Sequence, residues 1–123
     1  SNQFSKVNHH QPISLLSARR YCEEKTKTRA TNRFKDTVAI ATGGSGGFGS
    51  KFVERYVSEN GNIAIFDSNE EVGSKLAADL SKQYPQSIIK FYPVDITNEA
   101  LINKTVDQVA GEFKRIDYLF NNA

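Results

Sequence analysis

The sequence predicts an α/β fold in which helices cover both faces of a parallel sheet. Two observations predict it. Four short, predominantly apolar segments alternate with longer segments of helical periodicity, and a glycine-rich stretch joins the first apolar segment to the first helix. This alternation occupies residues 35–123, and a chain of 123 residues has room for one modest domain. Residues 1–34 show neither the period of an amphipathic helix nor the alternation of a strand. They are predicted to form a basic, poorly ordered leader.

The leader differs in charge from the rest of the chain, residues 35–123, which we call the body. Residues 1–36 carry a net charge of +5, whereas residues 37–123 carry −3. The leader has no acidic residue before Glu23 and has an Arg-Arg pair at 19–20, a pattern similar to mitochondrial matrix presequences. We therefore expect a cytoplasmic or mitochondrial matrix protein. A solvated leader with a short helix from Ile13 to Tyr21 is the alternative.

Composition argues against several classes of partner and site. The longest apolar runs are far shorter than the roughly 20 residues that span a bilayer, so no membrane partner is predicted. The basic residues of the leader show no regular interleaving with aromatic residues and no known nucleic-acid motif, so no nucleic-acid partner is predicted. Cys22 is the only cysteine, and His9 and His10 lack partners at ligand spacing. No metal site and no intramolecular disulfide are therefore expected.

The first half of the body is predicted to be strand, helix, strand, helix. The first strand covers residues 37–41, and the helix after the glycine loop ends at Gly61. The second strand covers residues 63–66. Ser68 and Glu71 then have the spacing of a capping box, which predicts a second helix that begins there.

The second half adds a strand, a helix and a final strand. The third strand covers residues 88–94, and Thr97 can cap a third helix whose basic last turn suits the negative helix terminus. The fourth strand covers residues 116–120. Right-handed crossovers give the strand order 3-2-1-4, which is the first half of a Rossmann-type doubly wound sheet, with three helices. We expect the remaining strands to follow Ala123, so the sheet within this chain is incomplete.

The glycine-rich loop predicts a site for the phosphates of a dinucleotide. Gly43, Gly47 and Gly49 allow a tight turn, a close approach of backbone amides to a pyrophosphate, and close packing of the following helix. Ser45 and Phe48 belong to the same loop. A flexible loop without a ligand is the alternative, but the position between a strand and a helix favours the phosphate site.

Asp67 predicts which dinucleotide binds. It lies 18 residues after Gly49 at the end of the second strand, where a carboxylate accepts hydrogen bonds from ribose hydroxyls. Its negative charge would repel a 2′-phosphate, and its neighbours Ser68 and Asn69 offer no compensating base. NAD is therefore predicted in preference to NADP. A role in capping the second helix is the alternative for Asp67.

Four motifs together resemble those of the short-chain dehydrogenase/reductase superfamily of NAD(P)-dependent oxidoreductases. They are Thr-Gly-x-x-x-Gly-x-Gly at 42–49, Asp67, Val-Asp-Ile-Thr at 94–97, and Asn-Asn-Ala at 121–123. The resemblance covers residues 34–123. A different Rossmann family, such as the extended dehydrogenase-like epimerases, is the last alternative, because its glycines are usually spaced more tightly than Gly43, Gly47 and Gly49.

The resemblance implies further cofactor contacts. Asp95 would face the exocyclic amine of the adenine, and Ile96 would line the ring; an acid that shapes the turn after the third strand is the alternative for Asp95. Asn122 and Ala123 would pass beneath the cofactor ribose, mostly through backbone atoms. Asn121 would instead brace the central sheet.

The resemblance also implies the chemistry, which is hydride transfer between NAD(H) and an alcohol or carbonyl carbon. The family's catalytic tyrosine, lysine, serine and asparagine lie downstream of Asn-Asn-Ala. We therefore expect no catalytic residue in this chain and no turnover by it alone. Tyr21 and Lys25 share the family's Tyr-x-x-x-Lys spacing, but they precede the first strand and are not predicted to be catalytic.

The sequence is compatible with two functions. The first is the NAD-binding portion of a dehydrogenase whose full-length form acts on a small-molecule alcohol or carbonyl compound and is a homo-oligomer. The second is a non-catalytic module that senses NAD or mediates an interaction. The association state of the chain distinguishes the two functions. The outer edge of the fourth strand would expose Tyr118 to Phe120 and promote association in the first case, whereas a module would be monomeric.

Overall fold

The computed structural model describes residues 3–6, 12–14 and 32–122. Its strands are β1 (Gln3–Lys6), β2 (Pro12–Ser14), β3 (Val38–Thr42), β4 (Asn62–Asp67), β5 (Ile89–Pro93) and β6 (Tyr118–Asn121). Its helices are α1 (Gly47–Ser58), α2 (Glu70–Gln83) and α3 (Glu99–Phe113). None of these three helices is long and apolar enough to cross a membrane.

The four strands of the body form a parallel sheet. β3 lies between β4 and β6, and β5 pairs with the far side of β4. Numbered as predicted, this is the order 3-2-1-4, so the Rossmann-type α/β fold expected from the sequence is confirmed. The ends of the four strands differ from the predicted ends by one or two residues.

The sheet has an apolar layer on each face. Ala39 and Ala41 of β3 belong to the layer that contains the buried residues of α1 and α2, whereas Ile40 belongs to the layer that contains Val109 of α3. Every residue of β3 is buried, as expected for a central strand covered on both sides. The ring of Phe52 on α1 stacks on that of Phe120 with centroids 4.2 Å apart, which fixes α1 over β3 and β6.

Two helix starts differ from the predictions by one residue. Asn69 caps α2 and Asn98 caps α3, each accepting a hydrogen bond from the N–H three residues later, at 3.1 and 3.0 Å. The predicted caps Ser68 and Thr97 were therefore wrong. In each case two good capping residues are adjacent in sequence, and the turn that follows the preceding strand decides which one takes the position.

Two strands lie in the leader, where the sequence predicted none. β1 pairs antiparallel with β6 on the side opposite β3, and β2 pairs antiparallel with β1. The first two residues of the helix considered from Ile13 to Tyr21 belong to β2, and the rest of that segment lies outside the described residues. His9, His10 and Cys22 lie outside them as well.

Asp117 joins the two central strands at the amino-terminal end of the sheet. Its N–H donates to the Val38 carbonyl at 2.8 Å, and its buried carboxylate accepts the Val38 N–H at 2.9 Å. Arg115 donates to both carboxylate oxygens at 2.8 and 2.6 Å, and this pairing raises the pKa of the Arg115 guanidinium. Backbone, carboxylate and guanidinium together hold β3 and β6 in register.

We predict that Asp117→Ala lowers the free energy of unfolding by about 1–3 kcal/mol, because the buried Val38 N–H loses its acceptor. Arg115→Ala should cost less than Asp117→Ala, since its side chain is half exposed and an exposed ion pair contributes little. Urea denaturation followed by circular dichroism measures both changes. Equal losses in the two variants would mean that the ion pair, and not the backbone contact, joins the strands.

Candidate dinucleotide site

The glycine-rich loop lies where the carboxyl ends of β3, β4 and β6 meet. Gly43 leaves β3 in a left-handed conformation with φ of 66°, and its N–H donates to the Phe66 carbonyl of β4 at 2.7 Å. The Gly46 N–H then donates to the Gly43 carbonyl at 3.3 Å. These two bonds turn the chain sharply, so that α1 begins directly above the sheet edge, the usual ligand position in such folds.

The room for a Cβ atom differs among the glycines of the loop. It shows which positions are too crowded for any other residue and which position borders open space. A Cβ on Gly49 would lie 2.5 Å from the Gly43 carbonyl oxygen, and a Cβ on Gly44 would lie 3.0 Å from the Ile65 side chain. A Cβ on Gly47 would meet nothing within 4 Å. Gly43, Gly44 and Gly49 therefore serve the packing of the loop, whereas Gly47 borders open space. Gly44 was not among the predicted site residues.

The amino-terminal end of α1 faces this opening. Its N-cap, Gly46, provides no side-chain hydrogen bond to the amides of the first turn, and the first turn contains no acidic residue. The ring of Phe48 is directed toward the sheet, with its centroid 5.7 Å from that of Phe120, so this side chain serves packing. An uncapped helix start beside open space fits an anionic phosphate, which would accept backbone hydrogen bonds there.

Asp67 lies beside the loop at the end of β4. One carboxylate oxygen accepts the Ser45 N–H at 3.3 Å and the Ser45 hydroxyl, and the other accepts the Asn69 N–H at 3.0 Å. A carboxylate has about four acceptor positions, so capacity remains for a further donor such as a ribose hydroxyl. The structure thus brings Ser45 and Asp67 into direct contact at the mouth of the loop.

The end of β6 supports the loop from the other side. The Thr42 hydroxyl donates to the side-chain oxygen of Asn121 at 2.8 Å, and the Asn122 side chain donates to the Gly43 carbonyl at 3.3 Å. Asn121 therefore braces the sheet, as the resemblance implied, and Thr42 is a partner that the sequence did not reveal. Ala123 lies outside the described residues.

Asp95 forms the turn between β5 and α3. One of its oxygens accepts both the Thr97 N–H at 3.0 Å and the Thr97 hydroxyl at 2.6 Å, and these bonds lower the pKa of the exposed Asp95 carboxyl. The Val94 N–H donates to the Asp67 carbonyl at 3.0 Å, so the turn starts next to Asp67. Ile96 is half-buried in this turn. The turn-forming role considered for Asp95 is thus present, and a contact with adenine would use its exposed surface.

Direct contacts thus join the glycine loop, Asp67 and Asn122 at one edge of the sheet. Asp95 and Ile96 follow β5, which pairs with β4, so they lie beside the end of β4 that carries Asp67. The hydrogen bonds of the Asp95 carboxylate, however, go to Thr97 in its own turn. Within the described ranges, no three His, Cys, Asp or Glu side chains are grouped closely enough to hold a metal ion. The arrangement offers backbone donors for phosphate and carboxylate acceptors for hydroxyl groups.

Comparisons with known proteins agree with this geometry. The family model described as short chain dehydrogenase matches residues 37–123. The 15-hydroxyprostaglandin dehydrogenase (NAD+) of Rattus norvegicus is 33% identical over 86 residues, which are 70% of this chain and 32% of that protein. The crystal structure of NAD+-bound xylitol dehydrogenase superposes with a TM-score of 0.57 at 28% identity, covering 68% of this chain and 32% of that one.

A third protein is similar to this chain in fold, but its name gives NADPH as the cofactor where the other two give NAD+. The NADPH-dependent 3-quinuclidinone reductase from Rhodotorula rubra superposes with a TM-score of 0.63 at 23% identity, over 70% of this chain and 32% of that one. Proteins named for either dinucleotide are thus similar to this chain. The chain spans about a third of the length of each of the three proteins.

We predict opposite outcomes for alanine at two neighbouring glycines. Gly49→Ala should lower the free energy of unfolding by about 1–3 kcal/mol, because its Cβ would overlap a backbone oxygen. Gly47→Ala should leave the stability within about 1 kcal/mol of the original or raise it, because alanine favours the helix and its Cβ meets open space. Thermal and urea unfolding measure both. Equal destabilisation would contradict the loop packing described here.

The turn at Asp95 yields a prediction about pH. Thr97→Ala removes one donor and should raise the Asp95 pKa toward its usual value, whereas Thr97→Ser should preserve the lowered pKa. Because the folded-state pKa is below the unfolded one, the carboxylate stabilises the fold at neutral pH, and this contribution disappears as the pH falls through the folded-state pKa. Carboxyl titration by NMR measures the pKa values. No change in Thr97→Ala would assign the lowered pKa to the backbone N–H alone.

Proposed function

The chain belongs to the short-chain dehydrogenase family, and on that premise we propose that it is the NAD-binding portion of an oxidoreductase. The whole protein would transfer hydride between NAD(H) and an alcohol or carbonyl carbon of a small molecule. One observation carries the proposal: the Asp67 carboxylate lies against the glycine loop at the uncapped start of α1. A phosphate at the helix start and a ribose hydroxyl on Asp67 would therefore lie next to each other, as a dinucleotide requires.

Different residues of the chain would bind different parts of the dinucleotide. The first turn of α1, with Gly47 at its open side, would hold the pyrophosphate through backbone N–H groups. Asp67 would accept hydrogen bonds from the adenosine ribose, and Asp95 and Ile96 would border the adenine. Asn122 and Ala123 would pass beneath the second ribose.

The charges around Asp67 favour NAD over NADP. The residues that donate to the Asp67 carboxylate or directly follow it are Ser45, Ser68 and Asn69, and none carries a positive charge. A 2′-phosphate on the ribose would therefore meet the Asp67 carboxylate without a basic side chain from these neighbours to offset the repulsion. We propose a preference for NAD on this ground.

The chemistry of the whole protein lies beyond these residues. A bound nicotinamide supplies the hydride acceptor or donor. The described residues position that cofactor, and none of them is assigned a proton transfer. The proposal includes a homo-oligomeric whole protein, in which the acid and base groups belong to sequence other than this chain.

A second candidate function, a stand-alone module that senses NAD without catalysis, is favoured by one observation. β1 covers the edge of β6 that the sequence predicted to be open, so the described sheet does not end on that strand. A monomeric chain with a single cooperative thermal transition would support the module. Aggregation of the purified chain would support the dehydrogenase portion.

Isothermal titration with NAD and NADP tests the proposed site. Asp67→Asn should weaken NAD binding by about 10- to 100-fold, because hydrogen bonds to a charged group contribute about 1.5–3 kcal/mol. The same variant should bind NADP no worse than the original chain, because the repulsion of the 2′-phosphate is gone.

Glu70→Gln is the matched control. Glu70 is an exposed carboxylate in the first turn of α2, so its neutralisation changes the net charge equally and should leave NAD binding unchanged. Equal NAD affinity in Asp67→Asn and the original chain would contradict the assignment of Asp67. Tighter binding of NADP than of NAD by the original chain would contradict the cofactor preference.

A further inference from the structure

The loop between α1 and β4 contains the one Asn-Gly pair of the sequence, Asn60 and Gly61. In such a pair the main-chain nitrogen of the glycine can attack the carboxamide carbon of the asparagine, because glycine has no side chain to hinder the approach. The new C–N bond closes a cyclic imide, the bond from Cγ to Nδ2 breaks, and the proton from the glycine nitrogen leaves with the ammonia. Water then opens the imide to aspartate or isoaspartate.

The packing of the loop favours this pair of residues. Asn60 has a left-handed conformation with φ of 69°, which asparagine tolerates better than most residues other than glycine. A Cβ on Gly61 would lie 2.1 Å from the ring of Tyr56, which is fully buried in the core. Because neither residue is readily replaced, the fold keeps a chemically reactive pair at the end of α1.

The folded loop occupies the nitrogen that would attack. The Gly61 N–H donates to the Tyr56 carbonyl at 3.1 Å. The next N–H along the chain, that of Asn62, donates to the Thr37 carbonyl at 3.0 Å, so the loop is also fastened where β4 begins. Attack by the Gly61 nitrogen therefore requires its hydrogen bond to α1 to break.

The carboxamide of Asn60 is held as well. Its Nδ2 donates to the side-chain oxygen of Asn32, and its Oδ1 accepts a hydrogen bond from Nε2 of Gln86 at 2.8 Å. Asn32 precedes β3 and Gln86 lies between α2 and β5, so this side chain joins two segments that are distant in sequence. Because the reaction expels Nδ2, it also removes the donor to Asn32. The fold thus restrains both reacting groups of the pair.

We propose that Asn60 is the site at which this chain deamidates, and that opening of the loop at residues 59–62 sets the rate. Only the opened loop frees the Gly61 N–H and both polar atoms of the Asn60 carboxamide. The product carries an oxygen where Nδ2 donated to Asn32, and isoaspartate also adds a main-chain carbon before Gly61. Each modified copy should therefore open more easily than the original. The loop lies at the end of α1 opposite the glycine-rich loop, so this site and the dinucleotide site are independent.

Peptide mapping by mass spectrometry on the full chain, incubated at neutral pH, tests the site. Gln86→Ala removes the donor to the Asn60 side-chain oxygen. Deamidation at Asn60 should become about 2- to 10-fold faster in this variant, the range that the loss of one hydrogen bond gives. Asn32→Ala removes the other partner and should accelerate the reaction by a similar factor. Gln83→Ala is the matched control, because Gln83 bonds Tyr84 instead, and its rate should equal that of the original chain.

The chain unfolded in urea supplies the reference rate. There Asn60 should deamidate at least about tenfold faster than in the folded chain. The unfolded variants should all react at the same rate as the unfolded original, because none of the loop contacts remains.

Three results would overturn the proposal. The first is deamidation of another asparagine of the folded chain before Asn60. The second is an unchanged rate at Asn60 in both Gln86→Ala and Asn32→Ala, because the contacts of the loop would then not control the reaction. The third is an equal rate at Asn60 in the folded and unfolded chains, because folding would then give the pair no protection.

Discussion

The left-handed turn at Gly43 is the constraint on which the candidate dinucleotide site depends. It bends the backbone out of β3 and bonds it to Phe66 of β4, so that α1 starts at the carboxyl edge of the sheet. Gly49 then lets α1 approach the carbonyl of Gly43 more closely than any residue with a Cβ. One turn therefore determines where the positive end of the helix is presented and how close it lies to Asp67.

The two ends of the sheet have different tasks. At the amino-terminal end, Asp117 bonds to Val38 through both backbone and carboxylate, a purely structural connection between β3 and β6. At the opposite end, the same two strands are joined by Thr42 and Asn121, and the next residue, Asn122, supports the loop. Asp117 thus stabilises the pairing of β3 with β6 at the end of the sheet away from the loop. The same pairing places Asn121 and Asn122 beside the loop.

Two short segments of the leader, β1 and β2, form strands that the composition of the leader did not predict. Its polar and basic residues predict disorder because they offer little apolar area to offset the loss of conformational entropy. Strand pairing needs a partner with backbone groups free to bond, and β1 finds them on the side of β6 opposite β3. The two short strands gain their order from a strand more than a hundred residues later in the sequence, which a local pattern does not contain.

The sequence by itself determined the α/β class, the strand order and the location of the loop, because periodicity and glycine spacing are local properties. It also predicted that Gly43, Gly49 and Asp67 lie close together, because they follow the ends of neighbouring strands, and the structure places them around one loop. Only the tertiary structure decided that Asn69 and Asn98 cap their helices, that Thr42 bonds Asn121, and that β1 pairs with β6. These depend on which neighbouring donor or strand edge is within reach, and that choice is made only when the chain has folded.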